Sequence, residues 1–188
     1  MALASTLHQW ERVIELFEHA KSSDLALDTT VFDLVIAAYA HEGQWELALA
    51  MLEDMWDRRL NPSETTYNCV VDVLQVAGQW RKVIEMINHI KARGEEPSAM
   101  TYKAAFLGCA QAQEWKTLLE LFADLKATFL APDVQAVNIA LVAYLRLGDY
   151  DQGLKLAKEF ASSGNQDTLT LTARLRAQKQ EKEEGNMP

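Results

Sequence analysis

The sequence predicts an all-α fold, a right-handed α-solenoid of 35-residue helix-turn-helix repeats, and three observations predict it. At an offset of 35, Trp10, Trp45, Trp80, Trp115 and Tyr150 fall in one column, which takes four of the five tryptophans. At the same offset Phe32, Tyr67 and Tyr102 align, as do Gly43, Gly78 and Gly148, and Pro62, Pro97 and Pro132. From each tryptophan, apolar residues recur at offsets 0, 3, 4, 7 and 10, which is one face of a helix. A period of this length marks a solenoid or array, because one such unit cannot bury its apolar face without a neighbour.

The chain divides into a partial N-terminal repeat at 1–28, four whole repeats at 29–63, 64–98, 99–133 and 134–168, and a tail at 169–188. Met1 falls where the first helix of a unit is already under way, so the chain either opens on a half-unit or is part of something longer. Each repeat begins with an apolar-rich helix, such as Phe32–Ala40, and a short turn such as Glu42-Gly43-Gln44 leads to the tryptophan. Gly43, Gly78 and Gly148 suit the left-handed turn that closes a helix, and Gln113 stands at the same place in the remaining copy. The second helices carry Trp45, Ala48, Leu49, Leu52 and Met55, then Trp80, Val83, Ile84, Ile87 and Ile90, then Trp115, Leu118, Leu119, Phe122 and Leu125. In the last copy Gly153 takes the +3 place. Pro62, Pro97 and Pro132 are expected to stop the second helices, since proline lacks the N–H that continuation requires. Trp56 lies off the apolar columns and is expected to be exposed. In the tail, Leu169, Leu171 and Leu175 are placed to pack on the last hairpin as a capping helix, ahead of a charged end.

Hydrophobic residues make up 49% of the 188 and charged residues 24%, the composition of a folded chain. No apolar run is long enough to span a bilayer, and no transit peptide is visible at the N-terminus. Cys69 and Cys109 form neither a CxxC nor a Cys/His cluster and read as free thiols. His8, His19, His41 and His89 show no metal-ligand spacing; His19 and His89 occupy equivalent, exposed repeat positions. With no Gly-rich phosphate loop, nucleophile elbow or Cys/His pairing, the chain is expected to be a binding protein, not an enzyme, with no cofactor, no metal and no small-molecule substrate.

The unit resembles a pentatricopeptide repeat, with Thr66-Tyr67-Asn68 opening one copy, Ala77-Gly78-Gln79 at its mid-turn and Gly94-Glu95-Glu96-Pro97-Ser98 closing it. Tetratricopeptide repeats have a period one residue shorter and place their tryptophan in the first helix, whereas here it opens the second. The resemblance implies binding of single-stranded RNA, one base per repeat, along the concave face formed by the first helices, and a home in the mitochondrion or plastid. It also implies that the fifth residue of a unit reads the base together with the last. Those pairs are Asp33 with Ser63, Asn68 with Ser98, Lys103 with Asp133, and Asn138 with Thr168. By the same resemblance the Asn68 pair, and less firmly the Asn138 pair, lean to a pyrimidine. An Asn or Ser side chain both donates and accepts, whereas Asp33 only accepts and Lys103 only donates.

Other positions depart from the family pattern. The second residue, where an aliphatic normally sandwiches the base, is Thr30, Thr65, Met100 or Gln135. The first-helix end, where a basic residue meets phosphate, holds His41, Val76, Gln111 and Arg146, so Lys103 and Arg146 are the phosphate candidates. The net charge is −9, and residues 1–63 carry eleven acidic against four basic side chains. Phosphate neutralisation supplies most non-specific affinity for nucleic acid, so RNA binding is expected to be weak. The alternative partner is a protein, the solenoid serving as a structural subunit of an organellar assembly such as a ribosome, a respiratory complex or a photosynthetic complex.

Overall fold

The computed structural model describes residues 2–22, 28–160 and 166–184, with side chains given from residue 9 onward apart from residues 22 and 183. The expected close of the partial repeat at 23–27, the link at 161–165, the end of the charged tail at 185–188 and the His8 side chain lie outside the described residues. Among the described residues there are ten helices and no strand: α1 (Ala2–Ser22), α2 (Thr29–His41), α3 (Trp45–Asp57), α4 (Glu64–Val76), α5 (Trp80–Ala92), α6 (Ala99–Gln111), α7 (Trp115–Ala127), α8 (Val134–Leu147), α9 (Tyr150–Glu159) and α10 (Gln166–Glu184). This is an all-α helical-repeat solenoid fold.

The chain forms two compact units, Met1–Ala104 and Ala105–Pro188. In the first, α2 packs against α1, α3 and α4, and α4 packs against α3 and α5. Phe32, Ile36, Leu52, Met55, Leu74, Ile87 and Tyr102 are fully buried there. In the second, α8 packs against α7, α9 and α10, and α9 against α10, around Phe122, Leu141, Leu156 and Leu175. The first helices therefore lie side by side within each unit, α2 with α4 and α8 with α10, and α10 takes the place of the next first helix.

The second helices turn a slightly different face to the core than the apolar columns predict. Offsets 3, 7 and 6 are the buried set: Ala48, Leu52 and Met51 in α3, Val83, Ile87 and Met86 in α5, Leu118, Phe122 and Leu121 in α7. Offset 4 is only half-buried at Ile84, Leu119 and Leu154, and so is the tryptophan column itself. At about 100° per residue, offsets 3, 6, 7 and 10 straddle one direction, which leaves the tryptophan about 70° to one side and offset 4 further round. The indoles thus seal the edge of each hairpin and do not fill its centre. Gly153 of α9 is explained by packing: a Cβ there would stand 3.1 Å from Leu175 and from Tyr144.

Mid-turns close by the same device in every whole repeat. The N–H of Gln44, Gln79, Glu114 or Asp149 reaches back five residues to the carbonyl of Tyr39, Leu74, Cys109 or Tyr144, at 2.8–3.1 Å. The residue before each donor has positive φ: 70° at Gly43, 68° at Gly78, 72° at Gly148 and 59° at Gln113. Gln113 therefore accepts the strained conformation that glycine takes freely. The stop of α3 and α5 is likewise left-handed, at Arg59 with φ 57° and Gly94 with φ 78°, closed by Leu60 N–H to Met55 and Glu95 N–H to Ile90. The prolines do not perform that stop. Pro62 and Pro97 come after it, immediately before the residue that caps the following helix.

Three further expectations are corrected. Trp56 is not exposed: its indole stacks on His89, with centroids 3.7 Å apart, and its Nε1–H donates to Tyr67 Oη at 3.3 Å. His89 is accordingly not a bare surface residue. Leu169 does not pack inward but is 56% exposed, and Leu175 is the tail residue that is buried.

Candidate nucleic-acid interface

At every repeat boundary but the last, the final residue of a unit caps the next first helix. Asp28 accepts from Val31 N–H at 3.0 Å, Ser63 from Thr66 N–H at 3.1 Å, Ser98 from Thr101 N–H at 3.3 Å and Asp133 from Ala136 N–H at 2.7 Å. These are the residue types that satisfy the orphan donors of a helix start. Position thus has a local cause, and it brings the capping side chain against the fifth residue of the preceding first helix. Ser98 Oγ donates to Asn68 Oδ1 at 3.4 Å, and Thr168 Oγ1 donates to Asn138 Oδ1 at 2.7 Å. A hydroxyl bonded to the amide oxygen leaves the Asn Nδ2 free to donate outward.

The Asp33 and Ser63 pair is joined through a third residue. The Thr66 hydroxyl donates to the Asp33 carboxylate, and it lies 2.7 Å from Ser63 Oγ. Thr101 repeats the arrangement beside Ser98, its Oγ1 at 3.0 Å from Ser98 Oγ. Thr66 and Thr101 are 2% and 0% exposed, so these hydroxyls are held within the fold while the fifth residues remain half-buried and accessible. Sequence reasoning missed both threonines. The signal was present in Ser63-x-x-Thr66 and Ser98-x-x-Thr101, the spacing of a capping box, which is complete at Ser63.

Thr168 differs from its column mates. It lies inside α10, which begins at Gln166, and is 6% exposed, so it reaches Asn138 from a helix interior and not from a cap. Lys103 is exposed, and Asp133 is engaged as the cap of α8. Among the second residues, Thr30, Thr65 and Gln135 are exposed and Met100 is 40% exposed. Arg146 is exposed, Val76 is 89% exposed, and His41 stacks on Trp10 with centroids 4.7 Å apart.

A polar network missed by sequence reasoning ties loop to helix behind these positions. Trp56 donates to Tyr67 Oη, Tyr67 Oη donates to Glu95 at 3.2 Å, Arg93 Nε meets Glu95 at 3.1 Å, and Arg93 also donates to Asn61 at 2.9 Å. Burial and the Glu95 carboxylate raise the Tyr67 phenol above its ordinary value, while the Trp56 donor opposes them. Cys69 and Cys109 are free thiols, both raised first by burial; Asp72 and Asp33 add to the shift at Cys69, and Cys109 is pushed up to about 11. Among the described residues no three His, Cys, Asp or Glu side chains converge as metal ligands would.

The descriptions "PPR repeat family" and "PPR repeat" match residues 27–76 and 65–95. The chain carries pentatricopeptide repeats over these residues. Its similarity extends to the crystal structure of the pentatricopeptide repeat protein PPR10 in complex with an 18-nt psaJ RNA element, at 25% identity and TM-score 0.59, over 90% of this chain and 25% of that one. The repeat protein thus spans about a quarter of PPR10. It also matches the PPR domain of Arabidopsis thaliana protein-only RNase P 1 in complex with tRNA, at 13% identity and TM-score 0.73, over 94% of this chain and 97% of that one. A third match, nuclear proteinaceous RNase P 2 from A. thaliana, has 14% identity and TM-score 0.73, over 93% of this chain and 40% of that one. At such identities the two RNase P likenesses establish the fold alone. No curated protein matches the repeat protein in sequence.

Proposed function

We propose that this pentatricopeptide repeat protein binds single-stranded RNA in organellar RNA metabolism, in the mitochondrion or plastid, as a binding module without catalysis of its own. The observation that carries the reading is the hydroxyl-to-amide bond at two base-reading pairs, Ser98 to Asn68 and Thr168 to Asn138. Each bond holds an amide with its Nδ2 directed away from its partner, ready to donate to a base acceptor, and such pre-orientation reduces the entropy lost on binding. The RNA in the PPR10 complex supports the same class of ligand. Asp33, held by Thr66, offers only acceptors, so its repeat contributes a different preference or none. With Lys103 and Arg146 as phosphate contacts, affinity should be modest.

The test is a titration with labelled pyrimidine-rich and purine-rich oligonucleotides at several salt concentrations. Pyrimidine RNA should bind better, and Asn68→Ala and Asn138→Ala should each weaken it about three- to tenfold, the worth of one hydrogen bond. The slope of log affinity against log salt should be no steeper than about −2. Binding that ignores base identity and both substitutions would reject the reading.

A second reading, a protein-binding subunit of an organellar assembly, is favoured by the acidity of residues 1–63, where no basic stripe exists to meet a phosphate backbone.

A further inference from the structure

The groove of the first unit continues past the base-reading residues into a cleft that they do not use. Ala37 and His41 follow Asp33 by one and two helical turns on α2, and Asp72 and Val76 follow Asn68 in the same way on α4. Together with Trp10 and Cys69 these residues line a cleft of about 430 Å³. Its walls are mainly apolar. Trp10 and His41 stand at it as a parallel pair, 16° between planes, and Val76 is 89% exposed.

The charge of the cleft has one sign. Asp72 is the one carboxylate among the lining residues and is exposed, and both it and Asp33 add to the effect of burial on the Cys69 thiol. No lysine or arginine is among the lining residues. Residues 1–63, which supply α1 to α3, carry eleven acidic side chains against four basic ones. A phosphate entering here would meet the Asp72 carboxylate and no lysine or arginine, so the cleft does not extend an RNA path. Its chemistry suits a guest with an apolar stem and a positive head.

We propose that this cleft is a docking site for a basic segment of a partner protein, which inserts an arginine side chain between α2 and α4. The methylene stem of an arginine would lie along Ala37 and Val76, and its guanidinium would meet the Asp72 carboxylate. Arginine fits better than lysine because its planar, weakly hydrated head packs on aromatic walls and pairs with a carboxylate through two parallel N–H bonds. The site is separate from the Asn68 and Asn138 pairs, so it stands whether or not those pairs read a base.

The test uses the full chain and a short fluorescein-labelled peptide of lysine, serine and one central arginine, followed by anisotropy. A companion peptide carries citrulline, the neutral isostere, in place of arginine. Asp72→Asn removes the charge at an exposed residue, and Ala37→Leu fills the cleft without changing charge. Glu46→Gln removes an exposed charge on α3 at a residue that does not line the cleft. Asp72→Asn, Ala37→Leu and the citrulline peptide should each weaken binding at least about fivefold, while Glu46→Gln changes it less than about twofold. Equal loss with Glu46→Gln would reduce the interaction to general electrostatics and overturn the proposal. Full binding by Ala37→Leu, or by the citrulline peptide, would do the same. If pyrimidine RNA displaces the peptide and itself loses affinity in Ala37→Leu, the cleft is a nucleobase site and the proposal fails.

Discussion

Trp56 offers a sharp test of how the first unit is held together, because pattern and packing disagree about it. Off the apolar columns, it should be a surface residue whose loss costs a few tenths of a kcal/mol. In the fold its ring is stacked on His89 and its Nε1–H donates to Tyr67, which passes the connection to Glu95. A partly buried indole removes about 150 Å² from water, worth about 3 kcal/mol after allowance for a compact unfolded chain. The hydrogen bond adds about 1 kcal/mol. Trp56→Ala should therefore lower the unfolding free energy by about 3–4 kcal/mol. Trp56→Phe keeps most of the area and the stack and should cost about 1 kcal/mol. Urea unfolding followed by circular dichroism measures both. Tyr67→Phe closes a double-mutant cycle with Trp56→Phe, whose coupling energy should be about 1 kcal/mol. A cost below about 1 kcal/mol for Trp56→Ala, or a cycle with no coupling, would refute the network and restore the residue to the surface.

Two other outcomes follow from local geometry. Gln113 holds φ 59° where its column mates are glycine, so Gln113→Gly should raise stability by about 0.5–1 kcal/mol in urea unfolding, and a loss would show that the side chain makes a compensating contact. Cys109, fully buried, has a thiol pushed up from 9.0 to about 11, so its neutral form is favoured by the fold. Its contribution is present in full below pH 9 and is lost as pH rises toward 11; stability measured across that window should fall, and fall less steeply in Cys109→Ala.

The sequence by itself determined the period, the class of fold and the turns. Trp45, Trp80 and Trp115 mark where the second helices begin, whereas Trp10 lies within the continuous helix α1, and Gly43, Gly78 and Gly148 mark left-handed closures, because both signals act within a few residues of backbone. The caps were legible for the same reason: Ser63 and Ser98 stand three residues before the N–H groups they satisfy. Tertiary structure decided what those caps do next. Ser98 meets Asn68 across 30 residues, as Thr168 meets Asn138, and Trp56 meets His89 across 33, distances at which no local rule operates. It also shifted the buried face of the second helices toward Met51, Met86 and Leu121, since burial depends on the neighbour a helix is given and not on its own apolar pattern. The cleft where Ala37, Cys69 and Asp72 come together, from two helices packed side by side, is a property of that packing alone.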